Sequence, residues 1–459
     1  MSAAPPGADP EPSPAEKRRV GTLSYTRAGL VTLFFWLLWG DFCFTLLETV
    51  GPSLLPLLLR EHGASNREIA ILVGSIASVL NMVVTPVVSM QSDRHRGPLG
   101  RRIPFLAWPT PFIAVLLGLI PFAPEITRGL LAWGWVKALL AWSPIPPLVL
   151  VFAALIGTFQ LFNMVVASVY YYLFKDVVPD AYLGRFLSLF RSIGLVAGFV
   201  WNYFIFGMAE SHMREIFVGI SLLYGVSFAL MCWRVREGEY PPPPPREKGP
   251  GFLSAARTFL HECFKEPLYL WIYAARTFAG IAGLSGVFSI FFLRDELGFD
   301  LDRLGKLGAW QMLVGLPLAY PFGMLMDRWK PMRVYMLATF LFSAIYFSFY
   351  FYIRDWTSLI VSGFFGSAIS FVHSIAVAAW TQSILPAERF GQFAAAASLI
   401  TAAIVAVGAP LCGLFFDWVL VYRFHYIWFS FFLFLSFLCL CKVHQHWVRH
   451  GGPDHYVAP

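Results

Sequence analysis

Ser92-Asp93-Arg94-His95-Arg96-Gly97-Pro98-Leu99-Gly100-Arg101-Arg102-Ile103-Pro104-Phe105 is a charged island holding four arginines, bounded by the apolar runs Ile69 to Met90 and Phe105 to Ala123. Each run is near the roughly 20 residues that cross a bilayer as a helix. The island is therefore a tight loop between two membrane helices. Its arginines place it in the cytoplasm, because short cytoplasmic loops carry the lysine and arginine excess.

The same arrangement returns in the second half of the chain. Gly323-Met324-Leu325-Met326-Asp327-Arg328, followed by Lys330 and Arg333, again lies between two apolar runs. Pro179, Gly184 and Phe186 likewise share their spacing with Pro386, Gly391 and Phe393. Two loop types recurring in the same order point to duplicated halves, a construction transporters use routinely.

The 459 residues are 58% hydrophobic and only 13% charged, which excludes an ordinary soluble domain and indicates a polytopic all-α membrane protein. Twelve transmembrane helices are expected near 28–59, 66–91, 103–123, 147–174, 182–207, 216–234, 267–293, 305–326, 332–353, 357–384, 391–416 and 422–442. They divide into two pseudo-symmetric six-helix halves, 28–234 and 267–442. Of the 34 lysines and arginines, 22 fall at the ends this topology assigns to the cytoplasm and 10 at the outer ends, leaving Arg191 and Arg276 within spans. Both termini are therefore expected in the cytoplasm. The net charge of +7 reads as a topology signal; the basic residues form no continuous face, so nucleic acid is not an expected partner. Residues 1–27 lack the apolar core of a signal peptide and are expected as a disordered tail. Residues 235–266, with the prolines Pro241 to Pro245, are expected as a semi-rigid linker, and 443–459 as a second tail. Trp133, Trp135 and Trp142, between spans three and four, suit a helix lying at the outer interface.

A charged side chain in hydrocarbon costs several kcal/mol, so it persists where it faces a cavity or a partner. Four ionised side chains fall inside the spans: Asp41, Glu48, Arg191 and Arg276. Asp41, Thr45 and Glu48 follow i, i+4, i+7 and share one helical face. Asp41 lies about 20 Å from the cytoplasmic start of its span, near the midplane where transporters place their sites. A carboxyl there suits proton or sodium coupling, and an ion pair with Arg191 or Arg276 is the structural alternative. Neutral polar groups at comparable depth are Asn81, Gln160, Asn163, Asn202, Gln311, His373 and Gln382, with Trp380 nearby. Amides hydrogen-bond sugar hydroxyls and an indole packs on a sugar ring, so these and the two arginines form the expected substrate set. His373 is a further candidate for proton coupling. Gly51-Pro52 marks a possible hinge in the first span, and Gly194 with Gly198 a close-packing face in the fifth.

No Gly-x-x-x-x-Gly-Lys-[Ser/Thr] stretch, nucleophile elbow or His-Glu-x-x-His motif occurs, so nothing indicates ATP-driven transport or an enzyme. Cys439, Cys441, His444 and His446 lack the spacing of a zinc site, and no metal or cofactor is expected.

With these residues in view, the chain looks like a major facilitator superfamily transporter over nearly its whole length. Its Ser92 to Phe105 loop resembles that of the sucrose:proton symporters and their relatives near the glycoside-pentoside-hexuronide:cation symporters. The resemblance implies that Asp93, Arg94, Arg101 and Arg102 hold a cytoplasmic gate, echoed in the second half by Asp327, Arg328 and Arg333. It also implies secondary active transport of a sugar or glycoside with a cation, by alternating access between two six-helix halves; the cation is expected to be a proton or sodium ion, and the protein a monomer in the cell's inner membrane. Where the sucrose symporters carry an arginine, five residues before Asp176, this chain has Tyr171. Efflux of an amphipathic drug or metabolite and a non-transporting membrane sensor are the rival readings, because the fold fixes neither substrate nor direction.

Overall fold

In hydrocarbon every backbone N–H and C=O must be satisfied within its own segment, so each long apolar run becomes a helix. The computed structural model describes residues 18–140, 142–243 and 261–459. Its main helices are α1 (Arg27–Glu61), α2 (Asn66–Arg94), α3 (Ile103–Leu131), α4 (Pro147–Val177), α5 (Asp180–Val200), α6 (Ala209–Arg234), α7 (Pro267–Glu296), α8 (Leu301–Trp329), α9 (Pro331–Tyr352), α10 (Trp356–Ile384), α11 (Ala387–Val419) and α12 (Tyr422–Arg449). Side chains set several of their starts. Thr26 caps α1 by accepting from the Gly29 N–H, Ser65 and Glu68 form a capping box on α2, and Asp355 with Ser358 forms one on α10.

Between α5 and α6 the helix does not give way to an open loop. It passes through a π turn (Trp201–Ile205) and a 3-10 turn (Phe206–Met208), and the break in helical geometry comes at His212, with φ −128° and ψ 37°. The joined stretch is 55 residues long, far beyond one bilayer thickness, and it supplies two crossings. α1 runs unbroken through Pro52 and Pro56.

In the first half α1 packs on α5 and α6, α3 on α4 and α6, and α2 on α4; in the second, α12 packs on α7 and α9, α9 on α10, and α7 on α11. The halves meet where α2 lies on α11 and the outer end of α5 lies on α8. One apolar core joins both halves at the outer side, through Leu54, Ile69, Phe288, Phe416 and Tyr422 among others. The cytoplasmic part of the second half keeps a core of its own around Tyr269, Tyr335, Trp380 and Trp447.

The ends of the chain differ from expectation. Within the stretch expected as a disordered tail, Arg19–Val20 (β1) and Leu23–Ser24 (β2) pair antiparallel, while residues 1–17 lie outside the described residues. Of the linker, 244–260 lie outside the described residues; the segment from Val235 to Pro243 is extended and bound to the loop between α2 and α3, as described below. α12 continues to Arg449, and the last residues fold back on the second half: Tyr456 donates its hydroxyl to the Ile384 carbonyl, and Tyr269 donates to Pro459. α3 extends to Leu131, a short helix (Gly134–Leu140) follows, and Trp133, Trp135 and Trp142 are exposed there.

Candidate transport site and gates

Gly40 lets α1 approach α6 and α4 closely, since a Cβ there would meet the Met231 sulfur at 2.3 Å and the Tyr170 hydroxyl at 3.3 Å. The next residue, Asp41, is thereby carried into the packed helices. It is 2% exposed, and its Oδ2 is buried without a hydrogen-bond partner among the described residues. Neither arginine supplies one. Arg276 is half-buried and donates to the Thr381 hydroxyl at 3.1 Å, and Arg191 is exposed and forms no ion pair among the described residues. Glu48, two turns along α1, is exposed and accepts from the Asn163 amide on α4 at 2.5 Å, while Asn163 is itself buried. Thr45 between the two acids is half-buried.

The other expected polar residues are placed differently. Asn81 is exposed and accepts from the Thr85 hydroxyl, which in turn accepts from Ser168 of α4. Gln160 is half-buried and Gln382 exposed. Asn202 is a packing residue: its amide donates to the Gly198 carbonyl, and its backbone lies against Gly305 of α8. Trp380 cannot face a substrate, because it is fully buried, stacked on Tyr335 at 4.7 Å and donating to the Met332 sulfur. His373 packs between Tyr335 and Phe342, with its Nε2 buried and unpartnered. Gln311 alone of the set lines a cavity of about 670 Å³, in the outer part of the second half. Of the close-packing glycines, Gly198 abuts Met312 of α8, whereas Gly194 has open space.

The loop between α2 and α3 holds an ion network. Arg102, 4% exposed, donates to Ser92 and Asp93 at 2.5 Å each and to Asp176 at 3.1 Å. Arg101 pairs with the same Asp176 at 2.5 and 2.9 Å. The network ties the ends of α2 and α4 to the loop, all within the first half. Arg94 is exposed and takes no part in it. Asp327, Arg328 and Arg333 are exposed and make no ion pair among the described residues. Geometry explains the asymmetry: α8 and α9 are joined by Lys330 alone, at φ +70°, which leaves no loop to hold such a network.

Glu237, three residues past α6, binds this loop from outside. Its carboxylate accepts from the backbone N–H groups of Arg101, Arg102 and Ile103 at 3.0, 2.7 and 2.6 Å, capping the start of α3. Gly100 sits at φ +97°, and any Cβ there would strike Glu237. Tyr240 donates to Glu237 and lies under the Arg101 guanidinium at 4.4 Å, while Arg96 donates to the Pro241 carbonyl. Burial, and after it the hydrogen bond and charge of Glu237, hold the Tyr240 phenol protonated well above its ordinary range. The hairpin completes the clamp, with Thr22 accepting from the Glu239 N–H at 2.8 Å. Glu237→Ala would leave three backbone donors without their acceptor, a loss of about 2 to 3 kcal/mol. We expect a lower unfolding temperature in detergent and faster proteolysis between residues 95 and 103, with Glu237→Gln intermediate. Unchanged cleavage in the alanine variant would show that the clamp is not formed.

Among the described residues, every hydrogen bond and cation–π contact between the halves lies in the outer half of the molecule. Asp417 of α11 accepts from the Asn66 and Arg67 N–H groups at 2.9 and 3.0 Å, and Ser75 donates to Ala406 at 2.7 Å. Glu210 accepts from Leu301 N–H at 2.8 Å, Tyr422 donates to Asn66, and Arg60 lies over Phe291 and Tyr422. The molecule is closed at the outer side.

No protein-family model and no curated protein matches the sequence. Solved structures do. A bacterial homolog of the human lysosomal transporter Spinster, inward-facing and unoccupied, superposes with TM-score 0.65 over 92% of this chain and 99% of that one, at 11% identity. The fold is that of the major facilitator transporters. A bacterial homologue of the iron transporter ferroportin matches at 16% identity over 90% of this chain and 99% of that one. Its TM-score is 0.64 in the inward-facing state and 0.55 in the outward-facing one. A D-xylose-proton symporter matches with TM-score 0.56, 15% identity, and coverage of 90% and 98%.

Proposed function

We propose that the protein is a secondary active transporter that moves a sugar or glycoside together with a proton or sodium ion by alternating access. The observation that carries this reading is Asp41, a carboxylate buried at mid-membrane depth with an oxygen that no group among the described residues satisfies. Burying an ionised carboxylate without a partner costs several kcal/mol, so the acid takes a cation with it whenever its site is closed. Because Arg276 is engaged with Thr381 and Arg191 lies at the surface, that cation is a mobile one in this state. Glu48 and His373 are the secondary candidates for coupling, and Thr45, Asn81, Gln160, Asn163, Gln311 and Gln382 the candidate substrate contacts. The exposed Glu48 and Arg191 are best accommodated in the water-filled space between the halves, since facing lipid would cost each several kcal/mol.

The gates follow from the same reading. The cross-half bonds at the outer side hold the inward-facing state. The Asp93–Arg102–Asp176–Arg101 network and the Glu237 clamp keep the cytoplasmic loop rigid while the halves rock. The sugar class is supported by the Ser92 to Phe105 loop and by the D-xylose-proton symporter among proteins of this fold.

Counterflow into proteoliposomes with a panel of tritiated sugars tests the proposal. At least one sugar should enter several-fold faster than into empty liposomes. Counterflow of an amphipathic drug with none of any sugar would move the assignment to efflux, and no counterflow at all would favour a sensor.

A further inference from the structure

The 670 Å³ cavity contains Gln311 but otherwise none of the residues assigned above. It lies within the second half, among the outer portions of α7, α8, α9, α10 and α12, and Phe206 is the first half's sole contribution. The sequence explains why it stays open. α10 presents Ser362, Gly363, Gly366, Ser367, Ser370 and Ser374 along one side, and α7 presents Ser285, Gly286 and Ser289 in return. Side chains this small on facing helices cannot fill the space between them, and the volume is within the roughly 300–1,000 Å³ of small-molecule pockets.

We propose that this cavity binds a neutral, hydroxyl-rich molecule of sugar type. Among the described residues the lining contains no Asp, Glu, Lys or Arg, so a charged ligand would be buried there without a counter-ion. The hydroxyl protons of Ser289 and Ser374 are donated to carbonyls of their own helices, which leaves their oxygens as acceptors, while the buried Ser285 bonds the Ala282 and His425 carbonyls. His425, at the start of α12, is 4% exposed and lines the cavity, and its Nε2 is buried without a partner among the described residues. A polar atom sealed in this way costs free energy unless a ligand completes it. Tyr346, Phe371 and Phe429 add aromatic walls, on which the apolar face of a pyranose packs. The cavity also touches the outer seam. Met312 lines it and packs its methyl against Gly198 of α5, so a bound molecule bears on the contact that closes the outer side.

This inference deepens the transport reading by giving the solute a position inside one half, away from Asp41. It is tested by equilibrium binding of tritiated glucose, sucrose and maltose to purified protein in detergent, beside counterflow in liposomes. Wild type should bind at least one sugar. Ser367→Phe, which fills the cavity, should weaken that binding at least tenfold, whereas Ser348→Phe, on an exposed face of α9, should leave it unchanged. His425→Phe keeps the ring and removes the nitrogen, and should weaken binding about tenfold, the worth of one buried hydrogen bond. Sugar binding indifferent to both Ser367→Phe and His425→Phe overturns the proposal, as does binding of choline with none of the three sugars. Cavity-dependent binding without counterflow would instead sink the transport reading and leave the site standing.

Discussion

Proteoliposomes carrying Asp41→Asn should no longer concentrate substrate against its gradient, yet should still exchange labelled for unlabelled substrate. Asparagine has nearly the shape of a protonated aspartic acid and takes up neither a proton nor a sodium ion. The variant therefore enters the closed states without a cation, and the link between the cation gradient and the solute is cut. Asp41 is buried here with its Oδ2 unsatisfied among the described residues, so on the proposed reading a cation accompanies the acid when the site closes. By linkage, a cation that favours closure around the solute raises solute affinity, and the solute raises cation affinity by the same factor. Accumulation should fall by more than a hundredfold, to the equilibrium level, with exchange kept within a few-fold of wild type. Imposing the proton and sodium gradients separately identifies the driving ion. If Asp41→Asn still accumulates substrate, coupling moves to Glu48, whose carboxylate accepts from Asn163, or to His373. Loss of exchange as well would make Asp41 a substrate ligand or a structural residue.

The twelve crossings were legible because an apolar run and the arginines at its end are local signals, and the bilayer turns them directly into a helix and an orientation. Partners far apart along the chain were not. Arg101 and Arg102 stood out as a pair, but the acid they share, Asp176, lies on another helix about 75 positions later, and only the fold brings it to them. Glu237 carries no motif at all; it is one acid in a basic, proline-rich linker whose role arises from the backbone donors it meets. Trp380 drew attention as a sugar platform, yet Tyr335 and Met332 enclose it, since a large aromatic gains most from full burial. Asn202 erred in the same direction, its amide being taken up at the α5–α8 seam. The serine and glycine side of α10 was the opposite case. Each residue is ordinary in a membrane helix, and the cavity exists only because α7 places small residues opposite.

Asp417→Ala should open the outer side. In the closed arrangement the Asp417 carboxylate caps the first two residues of α2, across the boundary between the halves, so its two bonds exist only while the halves are closed. Charge-assisted bonds of this kind contribute about 1.5 to 3 kcal/mol each, and losing the pair should shift the inward-to-outward ratio by at least about a hundredfold. Gly413→Ala reaches the same seam by a different route. Its Cβ would stand 2.5 Å from the Arg67 Cα and from the Asn66 carbonyl, both backbone atoms, so the helices must separate to admit it. One measurement reads both variants: the electron-electron resonance distance between spin labels at positions 61 and 421, which lie at the outer ends of α1 and α12. Wild type should give a single short distance, and each variant should add a longer population, Asp417→Asn falling between because it keeps one acceptor oxygen. An unshifted distribution in both folded variants would show that this seam is not what holds the outer side closed, leaving the Glu210–Leu301 contact, the α5–α8 packing, and the Tyr422–Asn66 and Arg60 contacts as the remaining latch.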